Sequence, residues 1–140
     1  MIRQESDRNK AIVARFNQEV IEQGDVAAFH SLMDENFINR TAPPGTNNGP
    51  EGMLHTFNQI LRPAMPDLRV EIDDQVAEAD QVTTRKRLSG THTGELLGIP
   101  ATGREVVIDV IDIVRLRDGK YVEHWGINNL PSILASLKAL

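Results

Sequence analysis

Between residues 12 and 61 the apolar positions recur at helical spacing, and from residue 68 onward they alternate as strands do. Ile12, Val13, Phe16, Val20 and Ile21 mark a first helix, with Ser6 or Asp7 as its N-cap and Gly24 as its stop. Asp25 is placed to cap a second helix whose apolar face holds Val26, Phe29, Leu32 and Met33. Phe37-Ile38-Asn39 reads as a short extended piece. Thr41 to Gly49 contains two prolines, two glycines and two asparagines, a loop composition. Pro50 suits the first turn of a third helix, with Leu54, Phe57, Ile60 and Leu61 on one face.

Past Pro63 and Pro66, Leu68, Val70 and Ile72 alternate with charged residues, the pattern of a strand with one buried face. A polar turn around Glu78-Ala79-Asp80 leads to a second strand, Val82 to Thr93. Gly94 to Gly103 is a loop, and Glu105 to Arg117 a long β-branched strand. Asp118-Gly119 signals a hairpin returning through Tyr121 to Asn128, and a short helix from Pro131 to Leu140 closes the chain. Three helices followed by a four-strand meander define an α+β layout in one domain, residues 1–140, with no repeat or linker to divide it.

The last hairpin breaks the usual alternation. Val106, Ile108, Val110, Asp112 and Val114 share one face of the long strand; Val107, Asp109, Ile111, Ile113 and Arg115 share the other. Both faces are largely apolar and both call for a cover. The helices can cover only one. A second copy of the chain is the expected cover for the other, over Val107, Ile111, Ile113, Trp125 and Ile127, and the final helix folding back is the alternative.

Composition narrows the chemistry. With 40% hydrophobic and 25% charged residues the chain is an ordinary soluble domain. It has no cysteine, so disulfides, thiolate metal sites and cysteine nucleophiles are excluded. A net charge of −5 and only six aromatic residues argue against nucleic acid. The N-terminus lacks the apolar run of a signal peptide and no stretch is long enough to span a membrane, so a cytoplasmic location is the expectation. The four histidines show no metal-ligand spacing, and neither a phosphate-cradling loop nor a nucleophile elbow is present. No metal or cofactor is expected.

Gly90-Thr91-His92-Thr93-Gly94-Glu95, Gly98-Ile99-Pro100-Ala101-Thr102-Gly103, Arg115 with Asp118-Gly119-Lys120, and Glu123-His124-Trp125 occur in that order. This series resembles the SnoaL-like polyketide cyclases. The resemblance implies the cone-shaped α+β barrel shared with nuclear transport factor 2 and ketosteroid isomerase. It also implies cofactor-free acid–base chemistry on a ligand in the cone, typified by intramolecular aldol closure of a polyketide ester. In that family an aspartate soon after the histidine of the last strand is the acid/base, and that position here is Gly126. A pocket histidine of the preceding strand falls on Asp112, and the asparagine of the early strand is retained as Asn39.

Three residues are candidates for catalysis. Asp112 lies between Ile111 and Ile113, where lost hydration raises a carboxyl pKa and suits it to proton transfer. The alternative is a structural carboxylate held by an arginine or a backbone N–H. A three-residue hairpin loop places His124 opposite Asp112; a two-residue turn places Trp125 there instead. His92 is an acid/base candidate beside a loop, or that loop's anchor. Asn39, Lys86, Gly126 and Asn128 are candidates for substrate binding, Asn39 as a donor to a carbonyl. For Lys86, flanked by Arg85 and Arg87, the alternative is a solvated strand charge. The function that follows is proton abstraction beside the carbonyl of a small hydrophobic molecule, by Asp112, with Asn39 or His124 steadying the enolate. The alternatives are a non-catalytic binding module with the same pocket, which Gly126 supports, and epoxide opening.

Overall fold

The structure, a computed structural model, describes residues 2–140, with side chains from residue 4 onward. Helix α1 spans Ile2–Arg15 and continues as a π-helical stretch, Phe16–Glu22. It is already running at Ile2, so Ser6 and Asp7 sit inside it and do not cap it, a correction to the expected start; the good helix formers Arg3, Gln4 and Glu5 carry it there. The π-helical widening has a local cause. The Asn17 side-chain amide donates to the Val13 carbonyl at 2.8 Å, the acceptor that an α-helix reserves for the Asn17 backbone N–H. Gly24, at φ +74°, stops the helix as expected.

Asp25 caps α2 (Val26–Leu32) by accepting from the Ala28 N–H at 3.0 Å. Phe29 and Leu32 are buried, whereas Val26 is exposed and Met33 opens strand β1 (Met33–Asn39). After the loop, α3 (Pro50–His55) begins with Pro50 in its first turn and passes through a second π-helical stretch, Thr56–Leu61, into α4 (Arg62–Ala64). Strands β2 (Arg69–Glu78), β3 (Gln81–Thr91), β4 (Glu105–Arg117) and β5 (Lys120–Asn128) follow, then α5 (Leu130–Lys138).

The strand order is β1-β5-β4-β3-β2. Four strands form the expected meander, and the early strand adds a fifth by pairing parallel with β5, Asn39 beside His124. The sheet curves around the helices without closing, so β1 and β2 remain its edges. Phe16, Phe29, Phe37, Val82, Val106 and Val114 fill the space between helices and sheet. Phe16 stacks on Tyr121 at 4.2 Å between ring centroids and ties the π-helical stretch to β5.

The β4–β5 hairpin decides which residues meet. Asp118 (φ +52°) and Gly119 (φ +75°) form a two-residue turn in which Arg117 pairs with Lys120. Leu116 then pairs with Tyr121 but Arg115 with Glu123, so Val122 is an extra, bulged residue. The bulge moves the register by one. Neither expected register holds: Asp112 faces Gly126, and His124 faces Val114. Yet Asp112, His124 and Gly126 end on one face, because a two-residue turn plus a bulge restores the parity of a three-residue loop.

The other face stays bare. Ile111 pairs with Ile127 and Ile113 with Trp125, and Ile111 and Ile127 are 44% and 70% exposed. Helix α5 does not cover them, since Leu130, Ile133, Leu134 and Leu137 pack on the helix-side core. Burying each large apolar side chain stabilises by roughly 1.5–3 kcal/mol. We propose that a second copy lays its own sheet across this face in a two-fold contact. Sedimentation at micromolar concentration is expected to give twice 15.6 kDa, reduced to the single mass by Ile113→Asp. A wild-type mass near 15.6 kDa contradicts the dimer.

Candidate active site

Asp112 sits midway along β4 with its side chain toward the helices, 5% exposed, as is Lys86 on β3. Lys86 Nζ lies 3.1 Å from Asp112 Oδ2 and donates to Asn17 Oδ1 at 2.6 Å. The lysine is therefore a buried ion-pair partner, which corrects the solvated strand charge. Its flanking arginines obey that alternative: Arg87 pairs with Glu71 and Asp73 on the outer surface. Burial alone pushes the Asp112 carboxyl up, but the Lys86 charge and the His124 hydrogen bond outweigh it and hold the group below its ordinary 3.8. This reverses the expectation of a raised pKa. The missing element was the cation, supplied by a neighbouring strand.

His124 closes the other side of the carboxylate. Its Nε2 is 3.3 Å from Asp112 Oδ2, and its Nδ1 is 2.9 Å from Asn39 Oδ1. The same Asn39 oxygen accepts from the Thr41 backbone N–H at 3.3 Å, which identifies it as oxygen and makes Nδ1 the donor. Gly126 donates its N–H to Thr41 Oγ1 at 2.9 Å. Asp112 Oδ1 has no partner among the described residues.

These groups form one wall of a cavity of about 340 Å³. Asn39, Thr41, Lys86, Asp112, His124 and Gly126 line it on the sheet side, and Met53, Phe57, Ile60 and Leu61 on the helix side. Asn128 lines it too, although its Oδ1 accepts from the Leu130 N–H at the start of α5. His92 does not belong to the group. It is fully buried outside the cavity lining, with Nδ1 2.9 Å from Thr102 Oγ1 and its backbone bonded to Gly103 and Arg104. It anchors the loop, as the alternative for this residue held. From that loop Leu97, at φ +47°, reaches the cavity wall. Among the described residues no three His, Asp or Glu side chains gather as a metal site requires, and no helix is long and apolar enough to cross a membrane.

The profile of the family described as SnoaL-like polyketide cyclase matches residues 11–137. The chain belongs to that family. Over 76 residues it is 29% identical to aklanonic acid methyl ester cyclase DnrD of Streptomyces peucetius, a match covering 54% of this chain and about half, 52%, of the relative. TsrD from Streptomyces laurentii superposes with a TM-score of 0.82 at 28% identity, over 96% of this chain and 97% of that one. Wild-type IdmH from Streptomyces antibioticus superposes at 0.79 and 30% identity, over 93% and 98%.

Within this SnoaL-like fold two site residues had gone unnoticed in the sequence. Asn17 interrupts the apolar face formed by Val13, Phe16 and Val20, and a polar residue amid that run was its only signal. Thr41 lay in a loop and had none.

The ion pair makes stability depend on pH. Because the folded pKa of Asp112 is depressed, its contribution is complete above 3.8 and fades as the pH falls through the folded value. Asp112→Asn strands the buried Lys86 charge and is expected to cost about 3–5 kcal/mol at pH 7. Urea unfolding of both proteins over a pH series should show that gap shrinking below 3.8. A gap independent of pH contradicts the assignment.

Proposed function

We propose that the protein is a cofactor-independent acid–base enzyme that closes a ring in a small hydrophobic carbonyl compound. One observation carries this: a buried Asp112 carboxylate lines an otherwise largely apolar cavity, and its Oδ1 has no hydrogen-bond partner among the described residues. Asp112 takes a proton from the carbon beside a carbonyl, and the C–H electron pair moves into an enolate. The enolate carbon attacks a second carbonyl of the same molecule, and the new alkoxide recovers the proton from Asp112. The depressed pKa makes Asp112 a modest base, so the driving force has to come from stabilising the enolate oxygen. Lys86 supplies positive charge and His124 an N–H dipole beside it. Asn39, which lines the same cavity, has its Oδ1 committed to His124 and leaves its amide N–H groups as donors for the ligand's oxygen.

The ion pair also favours a second reading. A carboxylate with one oxygen committed to Lys86 and His124 suits recognition of a polar group, and the pocket then binds without turnover.

Incubation with aromatic polyketide methyl esters and small diketones, read by mass and chromatographic shift, separates the two. Turnover is expected, with Asp112→Asn lowering the rate by about 10²–10⁴-fold. Turnover unchanged in Asp112→Asn removes the residue from the mechanism. Saturable binding without product assigns the pocket to recognition.

A further inference from the structure

Glycine at 126 needs a reason, and the backbone does not provide one. Gly24, Gly45, Gly98, Gly103 and Gly119 adopt left-handed φ values, but Gly126 does not. Any residue fits its extended backbone. Space is what is restricted: a Cβ there would lie 2.9 Å from His124 Cε1, 3.2 Å from its Nε2 and 3.5 Å from Asp112 Cβ. The tight contacts are all with the imidazole, two residues back on the same strand face.

We propose that Gly126 is the positioning residue of the site, its missing side chain being the seat in which the His124 imidazole lies against Asp112. Four hydrogen bonds run around that seat, and the strand pairing of Asp112 with Gly126 closes the circuit. Gly126 N–H holds Thr41 Oγ1, the Thr41 N–H holds Asn39 Oδ1, and that oxygen holds His124 Nδ1. His124 Nε2 meets Asp112 Oδ2, and Asp112 is the cross-strand partner of Gly126. Four of the five members come from β5 and the β1–loop junction beside it, so the circuit also fixes the edge of the sheet over the cavity. A side chain at 126 leaves the backbone links intact and breaks only the two made by the imidazole. Asp112 is then held by Lys86 alone. Gly126 thus acts through His124, and the inference deepens the proposed catalytic reading without requiring turnover to be seen.

Gly126→Ala is expected to fold, because the displaced atoms are the far end of a side chain that can rotate away. In wild-type protein, NMR should show a cross-peak between the His124 Hε1 and the Gly126 α-protons, and a protected His124 Nδ1–H resonance. Gly126→Ala should abolish that resonance. Where turnover or ligand binding is measurable, Gly126→Ala should lower it at least 5-fold in wild type and leave it within 2-fold in a His124→Ala background, since the seat then has no occupant. Absence of the wild-type cross-peak overturns the proposal without any variant. So does a Gly126→Ala protein that keeps the Nδ1–H resonance, or one that loses as much activity without His124 as with it. Lack of turnover on every compound, with the NMR results as expected, sinks the catalytic reading and leaves the seat standing.

Discussion

A single carboxylate, Asp112, organises the interior. It lies on the helix-facing side of β4, where an unpaired charge would cost several kcal/mol of lost hydration. Lys86 reaches it from β3, His124 from β5, and Asn17 holds the lysine from the first helix. Three strands and a helix are therefore tied to one carboxylate oxygen, Asp112 Oδ2. Replacing the pair by apolar groups of equal volume would be neutral or stabilising in many proteins, so stability alone does not account for it. A charge kept at the wall of an apolar cavity, with one oxygen uncommitted, is the feature on which the proposed function draws.

The same constraint explains local irregularities that would otherwise look like defects. The Val122 bulge puts His124 on the cavity side. A regular two-residue hairpin would have turned His124 to the outer face and brought Trp125 inward. The π-helical stretch follows from Asn17 turning its amide back onto Val13 while offering its oxygen to Lys86. π-helical turns often accompany functional sites, and here the link is a specific side chain. A second bulge, between Ile72 and Asp74 on β2, shifts the half-buried positions from Val70 and Ile72 to Gln75 and Ala77.

Strong periodicity made the elements legible. The span Glu105–Arg117 matches the observed strand, and Asp25, Gly24 and Pro50 act as read. Asp112 stood out because a charge between Ile111 and Ile113 on a covered strand needs a partner or a task. Its partners were harder to see. Asn17 and Lys86 are 69 positions apart, and nothing local announces their contact. The pKa direction failed for the same reason, since burial is written in the flanking residues and the compensating cation is not. Register failed because one extra residue in a strand carries no compositional mark. His92, a candidate because of its place beside a loop, bonds to Thr102, Gly103 and Arg104 of that loop.

The account rests on Asp112 being ionised inside the protein with one oxygen free. Carbon-13 NMR of the side-chain carboxyls, followed from neutral pH downward, measures that state directly. The account predicts an Asp112 carboxyl that stays ionised at neutral pH and takes up its proton below 3.8, with that midpoint moving upward in Lys86→Met. An Asp112 carboxyl already protonated near neutral pH, or one whose midpoint ignores Lys86, would contradict it.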